Sequence, residues 1–487
     1  MTRRSHPNSR WLFVACGIFT ILSLYAQPGS LDLSFDPGVS VDGRIIALAV
    51  QQDGKILVGG AFTQYQGVPR GGLARLYPDG TIDLGYVPPT LYSPGMWQIA
   101  SIAVDQSGGC LIGGSLFIVG LGARTLVRLH ENGTIDTTLD PILSSGPSGY
   151  VDNIVLQENG DIIISGRFTG VSGHARTGIA ELYSDGLLNT SQTFEGGFVD
   201  INATDMLPSI KRVLIGANQD IYVLGSFTHY GWSNQPARGL ARISSTGVLL
   251  QQYNLTIDAP GGPANLHLLQ DLSLETNGSV LVAGSFTNLN GINVQLLARF
   301  LPDGQVDPTL VFDPESVGSV TSPRIWRLLP DGNGGYYALG DLLEVTSIAS
   351  VIHLANDGSP SSSFQHTPFS DNVTTSTPFD LCLTESGDLL VTGPYIVCGG
   401  IFRNGIARIH GLYGLGFWHC LNTTAFTLPA NDSLALAGDS ALWHELVVEE
   451  CMQLTIRTCD GSGVEQFGGG LYTSCPAYAD SMLAYTE

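Results

Sequence analysis

The sequence predicts an all-β fold, a seven-bladed β-propeller with a small C-terminal partial β-sandwich. Three observations carry that prediction. A turn pair, a short apolar run and a glycine recur seven times at near-constant spacing. Each copy holds four strand-like runs and no helical period. The last copy lacks its fourth run, and a spare one stands near the N-terminus.

The repeat reads DGKILVGG at 53–60, then SGGCLIGG, NGDIIISG, NQDIYVLG, NGSVLVAG, NGGYYALG and SGDLLVTG. Its closing glycines, Gly60, Gly114, Gly166, Gly225, Gly284, Gly340 and Gly393, are 54, 52, 59, 59, 56 and 53 residues apart. In the first copy the strand runs are Ile45–Gln51, Lys55–Gly60, Gly72–Tyr77 and Thr81–Tyr86, with Asp53-Gly54 and Asp79-Gly80 between members of each pair. Asp-Gly and Asn-Gly suit tight hairpins in which both central residues take positive φ. Four antiparallel strands at this period make one propeller blade, and a ring of blades buries both faces of each. The closing glycines are expected where neighbouring sheets approach too closely for a side chain. Leu31–Phe35 is the spare run, expected to be the outer strand of the last blade beside Ile406–His410. That assigns 27–412 to the propeller and 413–487 to a Cys-rich partial β-sandwich.

Composition sets the setting. Only 13% of the 487 residues are charged, and the formal net charge is −22. Residues 1–26 read as a signal peptide: Arg3, Arg4 and Arg10 precede the apolar stretch Trp11–Leu24, which is too short for a comfortable membrane span. Without it the chain holds 18 basic and 43 acidic groups, a net of −25. Such a surface repels nucleic acid and anionic lipid. The expectation is therefore a secreted or cell-surface monomer with no nucleic-acid partner and no membrane span after leader removal. Of seven remaining cysteines, Cys420, Cys451, Cys459 and Cys475 crowd near the C-terminus and suit disulfides, with three pairings open. Cys110 reads as a buried thiol; Cys382 and Cys398 read equally well as a pair or as two buried thiols.

The stretch "IAVQQDGKILVGGAF … GLARLYPDGTIDLGY" resembles the delta-60 repeat of bacterial secreted and surface proteins, and the resemblance covers 30 to about 412. It implies a β-propeller and brings no catalytic residues. Ala441–Val448, Gln453–Cys459 and Asp480–Tyr485 are similar to the bacterial pre-peptidase C-terminal domain, a small β-sandwich that would here be abbreviated.

Reaction chemistry leaves little trace. His-Glu-x-x-His, Gly-x-Ser-x-Gly and the phosphate-binding glycine loop are all missing from the sequence. The acidic turns lack the spacing of a calcium loop, so no metal or other cofactor is expected. Arg75, Arg128, Arg242, Arg299 and Arg408 share one repeat position, which Glu181 and His353 take in the third and sixth copies. Such a spacing favours arginines that fork onto nearby carboxylates and turn carbonyls to tie blades together, over a ring of anion sites. The variable segments between copies carry Tyr92, Trp97, Tyr150, Phe198 and Trp326, candidate ligand contacts on one face. The leading expectation is a non-enzymatic binding or adhesion module for an extracellular carbohydrate or protein. The alternatives are an extracellular polysaccharide hydrolase or lyase, with acidic groups converging at the channel mouth, and a spacer within a larger surface protein.

Overall fold

The computed structural model describes residues 27–91, 98–139, 149–191, 194, 196–202, 207–258, 266–318, 323–343, 348–370 and 380–412. The expected leader, the expected sandwich and its four cysteines lie outside the described residues. The described chain is a β-propeller with no α-helix, its elements being strands and two short 3-10 turns.

Seven antiparallel sheets follow one another along the chain. The inner strands are Arg44–Val50, Gln98–Val104, Tyr150–Leu156, Ser209–Ile215, Leu269–Leu274, Arg324–Pro330 and Asp380–Leu383. Each pairs with a second strand that ends at or near the closing glycine, and the second pairs with a third. Each inner strand packs beside the next, and the last beside the first, so the ring closes around an axis lined by inner strands. Second strands are buried on both faces. Ile56 and Val58 join a cluster with Leu390 and Ile406, while Leu57 faces Ile99 and Ile112. The apolar core is thus seven clusters, one between each pair of neighbours, with no common centre.

The fourth strand is shorter than the sequence suggests. It is a single bridged residue, such as Leu76 with Ile82 or Phe300 with Val306, in five sheets. In the first and fifth an aspartate stops it. Asp83 and Asp307 accept the backbone N–H two residues on, at 2.9 and 2.8 Å, and turn the chain away. The hairpin turns also differ from expectation. Gly54 is at φ 78°, but Asp53 is not at positive φ. Gly54 N–H donates to Gln51 O at 2.9 Å and Gln51 N–H to Lys55 O at 2.8 Å, so only the glycine must be left-handed. In the fourth copy Gln219 takes that position at φ 60°.

The closing glycines need a different reason from the one expected. A Cβ on Gly60 would stand 2.0 Å from Arg44 O, and one on Gly340 2.0 Å from Arg324 O, within the same sheet. The inner strand bulges opposite these glycines, between Ile45 and Ala47 and between Ile325 and Arg327, and presses its carbonyl onto them. Close approach between sheets falls one residue earlier, where a Cβ on Gly59 would meet Ile99 at 2.6 Å.

The seventh sheet takes its outer edge from the other end of the ring. Leu31 bridges Ile409, Asp32 N–H donates to Arg408 O at 2.9 Å, and His410 N–H donates to Ser30 O at 2.9 Å. Phe35 is fully buried against the first sheet.

Cys110, Cys382 and Cys398 are unpaired thiols, each pushed up to about 12 by burial. Cys382 is on an inner strand and Cys398 on a hairpin of the sixth sheet's extension, so the two do not meet in a common sheet.

Candidate functional site

The repeated arginines tie the scaffold. Arg75 Nε donates to Asp83 at 2.9 Å while its Nη1 donates to Glu131 O of the following sheet at 2.9 Å. Arg299 joins Glu275, Asp307 and Asn356, and Arg408 joins Asp32 and the Pro78 carbonyl. Where the arginine is replaced, Glu181 accepts from Gln157 and Asn189, and His353 Nε2 lies 2.9 Å from Asp331. Asp32, Asp388 and His410 form a group with metal-ligand chemistry at the ring seam. Asp32 is already engaged by Arg408 Nε at 2.6 Å, and His410 Nδ1 lies 3.3 Å from Asp388. The group is an ion-pair network of the seam.

The axis offers different chemistry. An inner strand is an edge, and its outward N–H groups lack a strand partner. Side chains from the preceding sheet supply one. Thirteen residues before the closing glycine, in five of the seven copies, stands a residue whose side chain reaches the next sheet. Ser101 Oγ accepts from Ile154 N–H at 3.2 Å, Asp271 Oδ2 from Leu328 N–H at 2.9 Å, and Asp380 Oδ2 from Leu48 N–H at 3.1 Å. Arg212 lies 3.3 Å from Asp271 and Arg327 3.5 Å from Asp380. Burial would lower the Arg327 pKa, but Asp380 and Asp271 outweigh it and hold the guanidinium above its ordinary value. This layer is consumed by structure.

One residue earlier sits the bulge itself. Ile46, Ala100, Asp152, Lys211, Gln270 and Trp326 are skipped in the pairing of six inner strands. A bulged residue has no cross-strand partner and its side chain is re-aimed. All six are partly exposed, whereas their predecessors Ile45, Ile99, Val151, Ile210, Leu269 and Ile325 are buried. In six of the seven sheets the bulge therefore leaves one residue of the axis-lining strand part-exposed and without a cross-strand partner. Sheets one and two contribute apolar residues, and sheets three to six contribute an acid, an ammonium, an amide and an indole.

Electrostatics in this layer are strained by burial. The Asp152 carboxyl is pushed up to about 7 by burial, against the pull of Lys211 and Arg167. Burial lowers the Lys211 ammonium, Asp152 opposes that, and the like charge of Arg327 adds to it. At the rim Gln98 Nε2 donates to Tyr150 Oη at 2.9 Å, and burial, with Asp152 adding, raises that hydroxyl to about 12. The Arg324 guanidinium lies 5.3 Å from the Trp326 ring centre and 3.9 Å from Asp341.

Of the aromatic candidates, Tyr150 and Trp326 are on the inner strands that line the axis, and both are part-exposed. Phe198 does not. It is fully buried, its ring 4.3 Å from Phe227 and 4.9 Å from Tyr230, because Phe198–Val199 pairs with His229–Tyr230 beneath the surface. Tyr92 and Trp97 lie outside the described residues. Asp152, Lys211 and Gln270 went unnoticed in the sequence. Their signal was a fixed offset, fourteen residues before the closing glycine, at which residue type varies freely.

Residues 51–86 and 275–310, within the first and fifth copies, match the family described as Domain of unknown function (DUF5122) beta-propeller. No curated protein matches the chain. Among solved structures, the extracellular domain of a hybrid two-component system from B. thetaiotaomicron is similar at 15% identity, over 79% of this chain and 40% of that one, with a TM-score of 0.43. Virginiamycin B lyase from Staphylococcus aureus is similar at 10% identity over 76% of this chain and 97% of its own, with a TM-score of 0.46. YCF48 from Cyanidioschyzon merolae is similar at 10% over 78% and 98%, with a TM-score of 0.44. The chain spans about 40% of the length of the first of these.

Proposed function

We propose that the protein is an exported, non-enzymatic binding module, built of delta-60-like repeats, that takes an extracellular ligand on the propeller axis. The observation that carries the reading is the bulge layer. In an otherwise repeating ring, four adjacent sheets present four different polar or aromatic groups there, and those groups are left part-exposed. The layer beneath already fixes the inner strands, so stability does not require that variety. Export rests on the basic and apolar N-terminal segment. No helix among the described residues is long and apolar enough to cross a membrane. The reading includes a monomeric chain, a pre-peptidase-like tail and disulfides among Cys420, Cys451, Cys459 and Cys475.

A glycan array together with a pull-down from extracellular matrix tests the reading. Binding is expected, and Trp326→Ala is expected to weaken it at least tenfold in a protein of unchanged melting temperature. Blank results at high protein concentration overturn it. One observation favours a second reading, a polysaccharide hydrolase or lyase: Asp152 is held near neutrality beside Lys211, as a proton-transferring group requires. Release of reducing ends or unsaturated sugars from an acidic polymer, abolished by Asp152→Asn, would decide for it.

A further inference from the structure

We infer that the axial layer selects a sugar that bears a carboxylate, with the carboxylate on Lys211 and the sugar face on Trp326. The inference rests on the binding reading above and names its ligand class.

Lys211 makes no hydrogen bond, and no ion pair within 4 Å, among the described residues. An ammonium has three donors and no acceptor, so a half-enclosed one without partners is a costly group to keep. The bulge nevertheless leaves it part-exposed on an axis-lining strand. Its charged neighbours do not solve the problem. Arg327, from two sheets away, repels it, and Arg167 acts on Asp152. Asp152 is the one carboxyl coupled to Lys211, and it pulls less on the ammonium when protonated. An anion placed on the axis would meet Lys211 directly and Arg327 and Arg167 at longer range.

The charge of that anion is limited. Asp152, Asp271 and Asp380 already lie around the same axis, so a dianion would be opposed more strongly than a single carboxylate. The body of the ligand is set by the rest of the layer. Trp326 offers an indole face that is neither buried nor fully exposed, backed by the Arg324 guanidinium. An amphipathic ring suits a surface with apolar C–H faces and hydroxyl edges. Gln270 adds an amide that both donates and accepts, and Nε2 is held by His267 O at 3.0 Å, which leaves the amide oxygen for a hydroxyl. Ile46 and Ala100 add apolar groups from the first two sheets. A uronic acid satisfies these demands together. An acidic peptide satisfies only the charge.

Calorimetry on the full chain tests this with three probes: an oligogalacturonate, its methyl ester, and poly-glutamate. The acid is expected to bind, the ester at least tenfold more weakly, and poly-glutamate as weakly as the ester. Lys211→Met should abolish the preference for acid over ester, and Lys211→Arg should retain it. Trp326→Ala should weaken both sugars alike. Equal binding of acid and ester, or a preference unaltered in Lys211→Met, overturns the inference while leaving the binding reading intact. Poly-glutamate bound as tightly as the uronate would assign the site to protein instead. Loss of melting cooperativity in Lys211→Met transfers the test to Lys211→Gln.

Discussion

At the scale of single residues, two positions show the repeat departing from its own rule. Gln219 occupies a left-handed site that glycine fills in most of the other copies. A side chain there costs about 1 kcal/mol, so Gln219→Gly should raise unfolding stability by about that amount, less the extra freedom glycine gives the unfolded chain. Urea denaturation reads it. Asp152 departs electrostatically. Its folded pKa of about 7 lies above the ordinary carboxylate value, so the native state resists its ionisation. Stability from this group is greatest below the unfolded value and falls as pH rises toward 7. Ligand binding follows the same titration. As pH falls from 8 to 6 a carboxylate-bearing probe should bind more tightly, since the competing charge beside Lys211 disappears while Arg327 stays positive and Tyr150 stays neutral. Asp152→Asn should flatten that dependence and stabilise the protein at pH 8. Neither residue was legible as special in the sequence. Gln219 needed the alignment of copies plus the left-handed backbone of the turn, and Asp152 needed the alignment plus the bulge of the inner strand.

At the scale of strands, second strands were the most legible elements. They are buried on both faces, so their apolar runs are continuous and their glycine is fixed by a carbonyl of the bulged inner strand. Outer strands were over-read. Their β-branched residues suggested length, but the aspartate that binds the third-strand arginine also ends the pairing. The same double use of one carboxylate explains why the arginines could be placed correctly from the sequence: their partners lie eight residues downstream at Asp83 and Asp307. The axial site was half legible. Tyr150 and Trp326 stood out by type, while Phe198 stood out for the same reason and went instead to the core. Composition distinguishes aromatic from polar, but only the pairing of 198–199 with 229–230 decides which aromatic is covered. The seam has its own pH response. Asp388 raises the His410 pKa above its ordinary value, with burial opposing. That stabilisation is fully present below about 6.5 and is lost as pH rises through the folded value. His410→Asn should remove this part of the pH dependence of the melting temperature.

At the scale of the whole molecule, stability is distributed among seven interfaces, and the seam is one of them. Deleting residues 27–35 removes the Leu31 bridge, the Asp32–Arg408 pair and the buried Phe35 together. Burial of one such aromatic is worth about 1.5–3 kcal/mol, and the unpaired edge adds to the loss. A sharp fall in melting temperature is expected, and an unchanged thermal scan would show that the ring holds without its seam. The pairing of 29–32 with 408–410 has another result. Both ends of the ring body are side by side in one sheet, so a short peptide could join them and the backbone could be cut between any two other sheets instead. Such a circular permutant keeps every interface while moving the covalent break, and it would report whether the seam matters as an interface or as the place where synthesis of the ring must finish before it can shut.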